Sequence, residues 1–463
     1  QGTTPTVNNA ITWAIGLPTA WNDKIFWEAQ GGFAGAPPAL SGLGLQRGYV
    51  SGITDTGHRA DGTDGSWALN APDRVIDFGH RGVHASVEVG KALVAGYYQS
   101  ANKRSLMLSC SNGGRATMME SQRYPKDFDG YVIYAPAFDW GGVIADFHHG
   151  SSAFFAKPGS WLPPNKVKLL ADAYLSACDA SDGVVDGIVG DPRACTIDPR
   201  SLQCPGADAP SCLTRDQADA AVKFTTEQKT KFGDAWSPPW LLSGDDGNPA
   251  GIPGWHTGTV APPVDGNGVP NPPPWQAAGH GFLVGTLTGI VYNNASYDWR
   301  ALDVDNDLSY WEQMQGALAA TDTNLMPTVS RGARLLVVHG WSDSALNPLR
   351  TIAYWDAVVG RYGKTKTDTF MRLFMVPGMQ HCGGGTLATD AFDPLTEIEK
   401  WLDTGIAPDR IEAGHFDATG ALTRTRPLCA YPKVAKYNKP GRGAPPPAEL
   451  NRSVNFDCVA PAK

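Results

Sequence analysis

Two cysteines each sit beside a residue able to do acyl-transfer chemistry: Cys110 directly precedes Ser111, and Cys382 directly follows His381. A bond between them would hold their Cα atoms roughly 5.5 Å apart. It would thereby keep a nucleophile near a base across about 270 residues of chain. Ser109-Cys110-Ser111-Asn112-Gly113 is a relative of the G-x-S-x-G turn, with serine in the first glycine position, between an apolar run and a helical segment. Small neighbours permit a strained turn that lifts the Ser111 hydroxyl. The Asn112 N–H, at the helix start, then faces a developing oxyanion. Gly31 or Gly32, after an early apolar run, is placed to supply a second N–H, and Gly32 is the expected donor. A glycine-rich turn capped by serine would carry the same residues.

Acid and base come later. Residues 335–343, Leu-Leu-Val-Val-His-Gly-Trp-Ser-Asp, read as a strand ending in Asp343; residues 374–381 read as a strand and a loop ending in His381. The chain order Ser111, Asp343, His381 is that of an α/β-hydrolase. His381 would relay the Ser111 proton while Asp343 orients the imidazole. Asp139 is the alternative acid, and His58, His80, His84 and His339 are alternative histidines. Asp343 also reads as a helix cap.

A second constellation is Cys178-Asp179-Ala180-Ser181-Asp182-Gly183-Val184-Val185-Asp186-Gly187-Ile188, with three carboxylates close together. Crowded carboxylates repel unless a cation sits among them, and the carbonyls of Val184 and Ile188 can complete an all-oxygen shell. The absence of histidine or thiolate favours Ca²⁺ over Zn²⁺. The spacing is not that of an EF-hand, and a solvated Asp/Gly turn is the plain alternative.

The elements that must position these residues alternate. Strand-like runs at 24–29, 48–53, 105–108, 131–134, 334–339 and 369–376 are interleaved with helical spacing at 77–100, 115–124, 349–361 and 396–404. This predicts an α/β fold built on a mostly parallel sheet. From residue 138 the pattern breaks into cysteines, prolines and tryptophans, and 244–274 is almost all Pro, Gly, Asn and Asp. The expected organisation is a discontinuous catalytic domain, 1–137 and 328–463, with an inserted lid at 138–327.

At 463 residues the chain exceeds what one core supports. A net charge of −8 opposes nucleic-acid binding, and no apolar run approaches a membrane span. Eight cysteines allow 105 pairings; proximity suggests Cys178–Cys195, Cys204–Cys212 and Cys429–Cys458, beside Cys110 and Cys382. Disulfides point to an oxidising compartment. The start Gln1-Gly2-Thr3-Thr4 suits a mature secreted or periplasmic protein, and Asn294 and Asn451 open glycosylation sequons.

These segments together resemble the tannase and feruloyl esterase family, secreted α/β-hydrolases acting on esters of aromatic acids. The resemblance is carried by Cys110-Ser111-x-Gly113-Gly114-Arg115, Gln122-Arg123-Tyr124-Pro125-x-Asp127-Phe128-Asp129-Gly130, Gly340-Trp341-x-Asp343 and Met379-x-His381-Cys382-Gly383-Gly384-Gly385. It implies a Cys110–Cys382 bond and Ser111, Asp343 and His381 as the catalytic residues. It also implies structural calcium on Asp179, Asp182, Val184, Asp186 and Ile188, with no organic cofactor. Asn112 departs from the more usual Thr or Glu.

The lid offers Trp236, Trp240, Trp255, Trp275 and Phe282 to sandwich a planar acyl ring, with Trp255, Trp275 and Phe282 the expected contacts. Relatives acting on terephthalate monoesters use a lid arginine, yet residues 216–299 contain none. The expectation is therefore a feruloyl or chlorogenate-type esterase working as a monomer or weak homodimer on a small substrate. The alternatives are a tannase, a mono(hydroxyethyl) terephthalate hydrolase, or an inactive calcium-dependent aromatic binder.

Overall fold

The computed structural model describes residues 1–439 and 447–461. It opens on two strands that the sequence reading does not anticipate, β1 (Gly2–Thr6) and β2 (Asn9–Gly16), paired antiparallel. β1 is the edge of the main sheet. Its threonines and Pro5 form no apolar run, and an edge strand tolerates proline because one side needs no N–H. Four further strands follow: β3 (Lys24–Trp27), β4 (Val50–Thr54), β5 (Arg104–Ser111) and β6 (Gly130–Pro136). After a small hairpin, β7 (Gln228–Lys229) and β8 (Ala235–Ser237), come β9 (Arg334–Gly340) and β10 (Met371–Val376).

The eight-stranded sheet runs β1-β2-β4-β3-β5-β6-β9-β10. From β4 onward every neighbouring pair is parallel, which is the α/β architecture that the alternating pattern predicts. β9 and β10 are buried along nearly their whole length, as a strand covered by helices on both faces must be. One core, with Trp27, Met107, Ile133 and Val337, lies on one side of the sheet. A second, with Phe26, Leu106, Val132, Val338 and Trp401, lies on the other. Adjacent residues of one strand thus serve opposite cores, the period-2 rule in three dimensions.

The helix expected at 77–100 starts earlier, at Pro72, and runs through a wide turn at Asp77–Arg81 into Gly82–Tyr98. Proline at the first helical position sets that start. Between β6 and β9 no strand joins the main sheet. Helices Trp140–Phe154, Pro164–Cys178, Arg215–Phe224 and Ala278–Gly285 occupy this span. Their core, with Phe147, Phe224 and Trp240, is continuous with Phe33 and Phe78 before the insertion and Leu346 after it. Two small antiparallel pairs close the chain: β11 (Arg410–Phe416) with β12 (Leu422–Cys429), and β13 (Val434–Tyr437) with β14 (Phe456–Val459). Among the described residues no helix is long and apolar enough to cross a membrane.

Candidate active site

The loops at the C-terminal ends of β3, β5, β6, β9 and β10 converge, and each carries one part of the site. At the end of β5 Ser111 has φ 64° and ψ −128°, a conformation costly for any residue with a Cβ. Its neighbours hold it there. Ser109 Oγ accepts from Ala29 N at 2.8 Å, and the Ser111 carbonyl accepts from Ala137 N at 3.1 Å. A Cβ on Gly113 would lie 2.4 Å from the Ala29 carbonyl oxygen, so only glycine lets the helix Asn112–Arg123 seat this close to the β3 loop.

Asn112 explains its own departure from the usual residue. Its Nδ2 donates to the Gln30 carbonyl at 2.9 Å, and its Oδ1 accepts from Arg115 Nε at 2.8 Å. The amide thus ties the turn to the loop holding Gly31 and Gly32. Gly32 lies at φ 58° and lines the same cavity as Ser111 and Asn112.

After β9, Asp343 is 3 % exposed and its carboxylate is fully engaged. Oδ1 accepts from the N–H groups of Ala345 and Leu346, at 2.8 and 2.9 Å. Oδ2 lies 2.8 Å from His381 Nδ1 and 3.2 Å from His339 Nε2. Burial acts to raise the Asp343 carboxyl, but the facing His381 and His339 outweigh it and hold it well below the usual carboxylate range. With Nδ1 on Asp343, His381 presents Nε2 as its remaining ring nitrogen, and it lines the cavity with Ser111.

The bond Cys110–Cys382 joins the two halves, with Cα atoms 5.7 Å apart. A His381 ring nitrogen and both sulfurs lie within 4.8 Å of one another. Three further disulfides are present: Cys178–Cys195, Cys204–Cys212 and Cys429–Cys458.

The alternative residues go elsewhere. Asp139 caps the helix Trp140–Phe154 and pairs with Arg350 at 3.2 Å. His58 bonds the Phe33 carbonyl, His80 the Tyr124 hydroxyl and His84 the Asp127 carboxylate.

Ser111 and His381 open on a cleft. One wall is the helix Trp140–Phe154, through Trp140, Val143, Ile144 and Phe147. Sequence reasoning missed this wall, although the 140, 143, 144, 147 spacing is a helical stripe. Trp255 and Phe282 face it, and Ala345 and Leu346 complete it. The rings of Phe147, Trp255 and Phe282 lie within 18° of parallel, with centroids 6.0 to 6.3 Å apart. Trp255 also meets His381 edge-on at 5.1 Å.

The other candidate aromatics of residues 138–327 lie elsewhere. Trp275 is 75 % exposed and does not line the cleft, because it sits on the outer surface of the insertion. Trp240 is buried against Phe224 in the core of the insertion, and Trp236 packs on His148.

In the acidic loop, Asp179 accepts from the N–H groups of Asp186 and Gly187, Asp182 from those of Val184 and Gly190, and Asp186 from that of Ile188. Asp186 also pairs with Arg426 at 2.5 Å and Arg424 at 3.7 Å. Burial, with the charges of Asp186 and Asp179, pushes Asp182 up to about 7. The donor set is all oxygen, the chemistry a hard divalent ion takes, although among the described residues the three carboxylates do not each bring an oxygen within 4.8 Å of the others. A cavity of about 680 Å³ between this loop and the C-terminal strands is lined by Asp182, Val184, Asp186 and Ile188 and by none of Ser111, Asp343 or His381.

Comparison with known proteins places these features in context. A family model described as tannase and feruloyl esterase matches residues 2–445. An uncharacterised esterase of Xanthomonas campestris is 30 % identical over 98 % of this chain and 83 % of that protein. A mono(2-hydroxyethyl) terephthalate hydrolase of Piscinibacter sakaiensis is 30 % identical, over 97 % and 82 %. The crystal structure of an esterase from Aspergillus oryzae superposes with a TM-score of 0.85 at 26 % identity, covering 99 % of this chain and 89 % of that one.

Proposed function

We propose that this chain, which belongs to the tannase and feruloyl esterase family, hydrolyses carboxylic esters of planar aromatic acids through an acyl-enzyme on Ser111. One arrangement carries the reading. A serine held in a strained turn and a histidine bonded through Nδ1 to a buried carboxylate share one cleft.

Ser111 Oγ attacks the ester carbonyl while His381 Nε2 takes its proton. The oxyanion is held by the N–H groups of Asn112 and Gly32. The alcohol leaves with the proton from His381, and water then repeats the sequence on the acyl group. Asp343 keeps His381 in the required tautomer and balances the imidazolium charge.

The near-parallel Phe147, Trp255 and Phe282 support a flat acyl group. Among the described residues no lysine or arginine lines the cleft, which argues against a free acyl carboxylate and hence against terephthalate monoesters. A hydroxycinnamoyl ester of the feruloyl or chlorogenate type fits better than a galloyl ester with its three hydroxyls. Within this reading residues 138–327 act as the lid and 1–137 with 328–463 as the catalytic domain. Structural Ca²⁺ is held by Asp179, Asp182 and Asp186 with the carbonyls of Val184 and Ile188, and it would neutralise and fasten that loop. Four disulfides support an extracellular or periplasmic location.

The test is Ser111→Ala. Turnover of p-nitrophenyl and methyl cinnamate-type esters should fall by about 10⁴-fold or more with the melting temperature unchanged. Retained turnover would overturn the assignment.

A further inference from the structure

We infer that Arg115 is the positioning residue of the oxyanion site: its buried guanidinium fixes the Asn112 amide and, through it, residues 30–32. The inference rests on the reading that Ser111 is acylated and that the N–H groups of Asn112 and Gly32 hold the oxyanion. It deepens that reading by naming the side chain that sets both donors.

Arg115 lies one turn into the helix that follows Ser111 and is fully buried. All three guanidinium nitrogens are bonded. Nε donates to Asn112 Oδ1 at 2.8 Å, Nη1 to the carbonyls of Gly79 and Leu318 at 2.6 and 3.3 Å, and Nη2 to the Phe78 carbonyl at 2.8 Å. The guanidinium carbon lies 4.8 Å from the Phe78 ring centre and 5.7 Å from that of Trp140, which walls the cleft. Among the described residues these partners are neutral oxygens and ring faces, and none is a carboxylate. Burial and the like charge of Arg123 both oppose the cation. Taking such a charge out of water is costly. Leu318 closes the helix Leu308–Leu318, whose negative end offsets part of that cost. An apolar side chain would fill the same space without it.

What the cation gives in return is a strong, directional hold on Asn112. A guanidinium only donates, so Asn112 must turn its amide oxygen toward Nε. Nδ2 is thereby aimed at the Gln30 carbonyl, which it reaches at 2.9 Å. Gln30 leads into the turn that holds Gly31 and Gly32, closed by Ala34 N on the Gly31 carbonyl at 2.9 Å. One relay, Arg115 to Asn112 to Gln30, therefore ties the two proposed N–H donors to each other. Those donors strengthen as charge develops on the carbonyl oxygen, so misplacing them costs kcat rather than KM. Lysine keeps the charge but cannot fork to Asn112 and the three carbonyls together.

The experiment measures kcat and KM on methyl cinnamate and a p-nitrophenyl ester for the native chain, Arg115→Lys, Asn112→Ala and the double variant. Rates are taken per folded molecule, with the folded fraction read by circular dichroism. Inhibition by phenylboronic acid, which forms a tetrahedral anion on a reactive serine, is measured alongside. Arg115→Lys is expected to lower kcat and weaken the boronate by about 10- to 100-fold, with KM within about 2-fold. Asn112→Ala should do the same, and the double variant should add little, because both cut one relay. Asn112→Ala keeps the test decisive if Arg115→Lys does not fold. Unchanged kcat and boronate affinity, or losses that multiply in the double variant, would overturn the inference and leave the hydrolase reading intact. A native chain with no turnover and no phosphonate adduct on Ser111 would remove both.

Discussion

His339 Nε2 lies 3.2 Å from Asp343 Oδ2, the same oxygen that His381 Nδ1 reaches at 2.8 Å. The candidate acid therefore sits between two histidines, one facing the cleft and one fully buried. His339 is fixed in turn by Thr351, whose Oγ1 lies 2.8 Å from Nδ1, and by the Leu346 carbonyl 3.1 Å from Nε2. A carbonyl only accepts, so Nε2 carries a proton. His339 thus donates through Nε2 and helps fix where Asp343 points.

Replacing it should loosen Asp343 without touching substrate. His339→Gln is expected to lower kcat by about 10- to 100-fold, with KM little changed. A merely structural role for His339 would lower the folded fraction and leave kcat per folded molecule unchanged.

The bridge Cys110–Cys382 closes a loop of 272 residues with the whole insertion inside it. Its loop-closure contribution lies toward the upper end of the roughly 0–5 kcal/mol range. Cys382 is also exposed at the surface. Mild reduction should open this bridge and cost activity before the α/β core melts, as read by thiol mapping alongside circular dichroism. Full activity after its selective reduction would reduce the bridge to a stabiliser.

Removing the proposed calcium should affect the segment around residues 179–188 first. Treatment with EGTA is expected to lower the melting temperature, and CaCl₂ to restore it. An ion at a hundredfold excess over its Kd contributes about 2.7 kcal/mol. Asp179→Asn should abolish the calcium-dependent shift. A melting temperature indifferent to both EGTA and Ca²⁺ would remove the metal from the account.

Glu120 offers a prediction far from the cleft. It is 1 % exposed, both its carboxyl oxygens lack a hydrogen-bond donor, and burial together with neighbouring Asp127 raises its carboxyl well above the usual value of 4.5. A carboxyl raised in the folded state binds its proton more tightly there than in the unfolded chain. Its contribution to stability is whole below pH 4.5 and declines as pH rises toward the folded value. Glu120→Gln should therefore match the native protein in melting temperature at pH 4 and exceed it at pH 8.

The alternating strand and helix pattern made the sheet legible because β3, β5, β6, β9 and β10 are apolar along their length and sit between turn residues. The edge strands β1 and β2 and the C-terminal pairs escaped because they are short, polar or half-exposed, and period-2 signals fade there. That Ser111, Asp343 and His381 follow the ends of β5, β9 and β10 was legible in the strand pattern. The wall from Trp140 to Phe147 was not assigned, although its stripe is helical, because proline and cysteine clusters masked the surrounding pattern. Trp275 and Trp255 look alike in sequence. Only the packing of the insertion turns one toward solvent and the other toward His381.

The central claim is that Ser111 becomes acylated with His381 as its base. The direct measurement is peptide-level mass spectrometry after exposure to a serine-directed fluorophosphonate, for the native chain and for His381→Ala. The account predicts one stoichiometric adduct on Ser111 in the native chain and labelling slowed by about 10³-fold or more in the variant. Ester turnover with no adduct on Ser111, or an adduct on another residue, would contradict it.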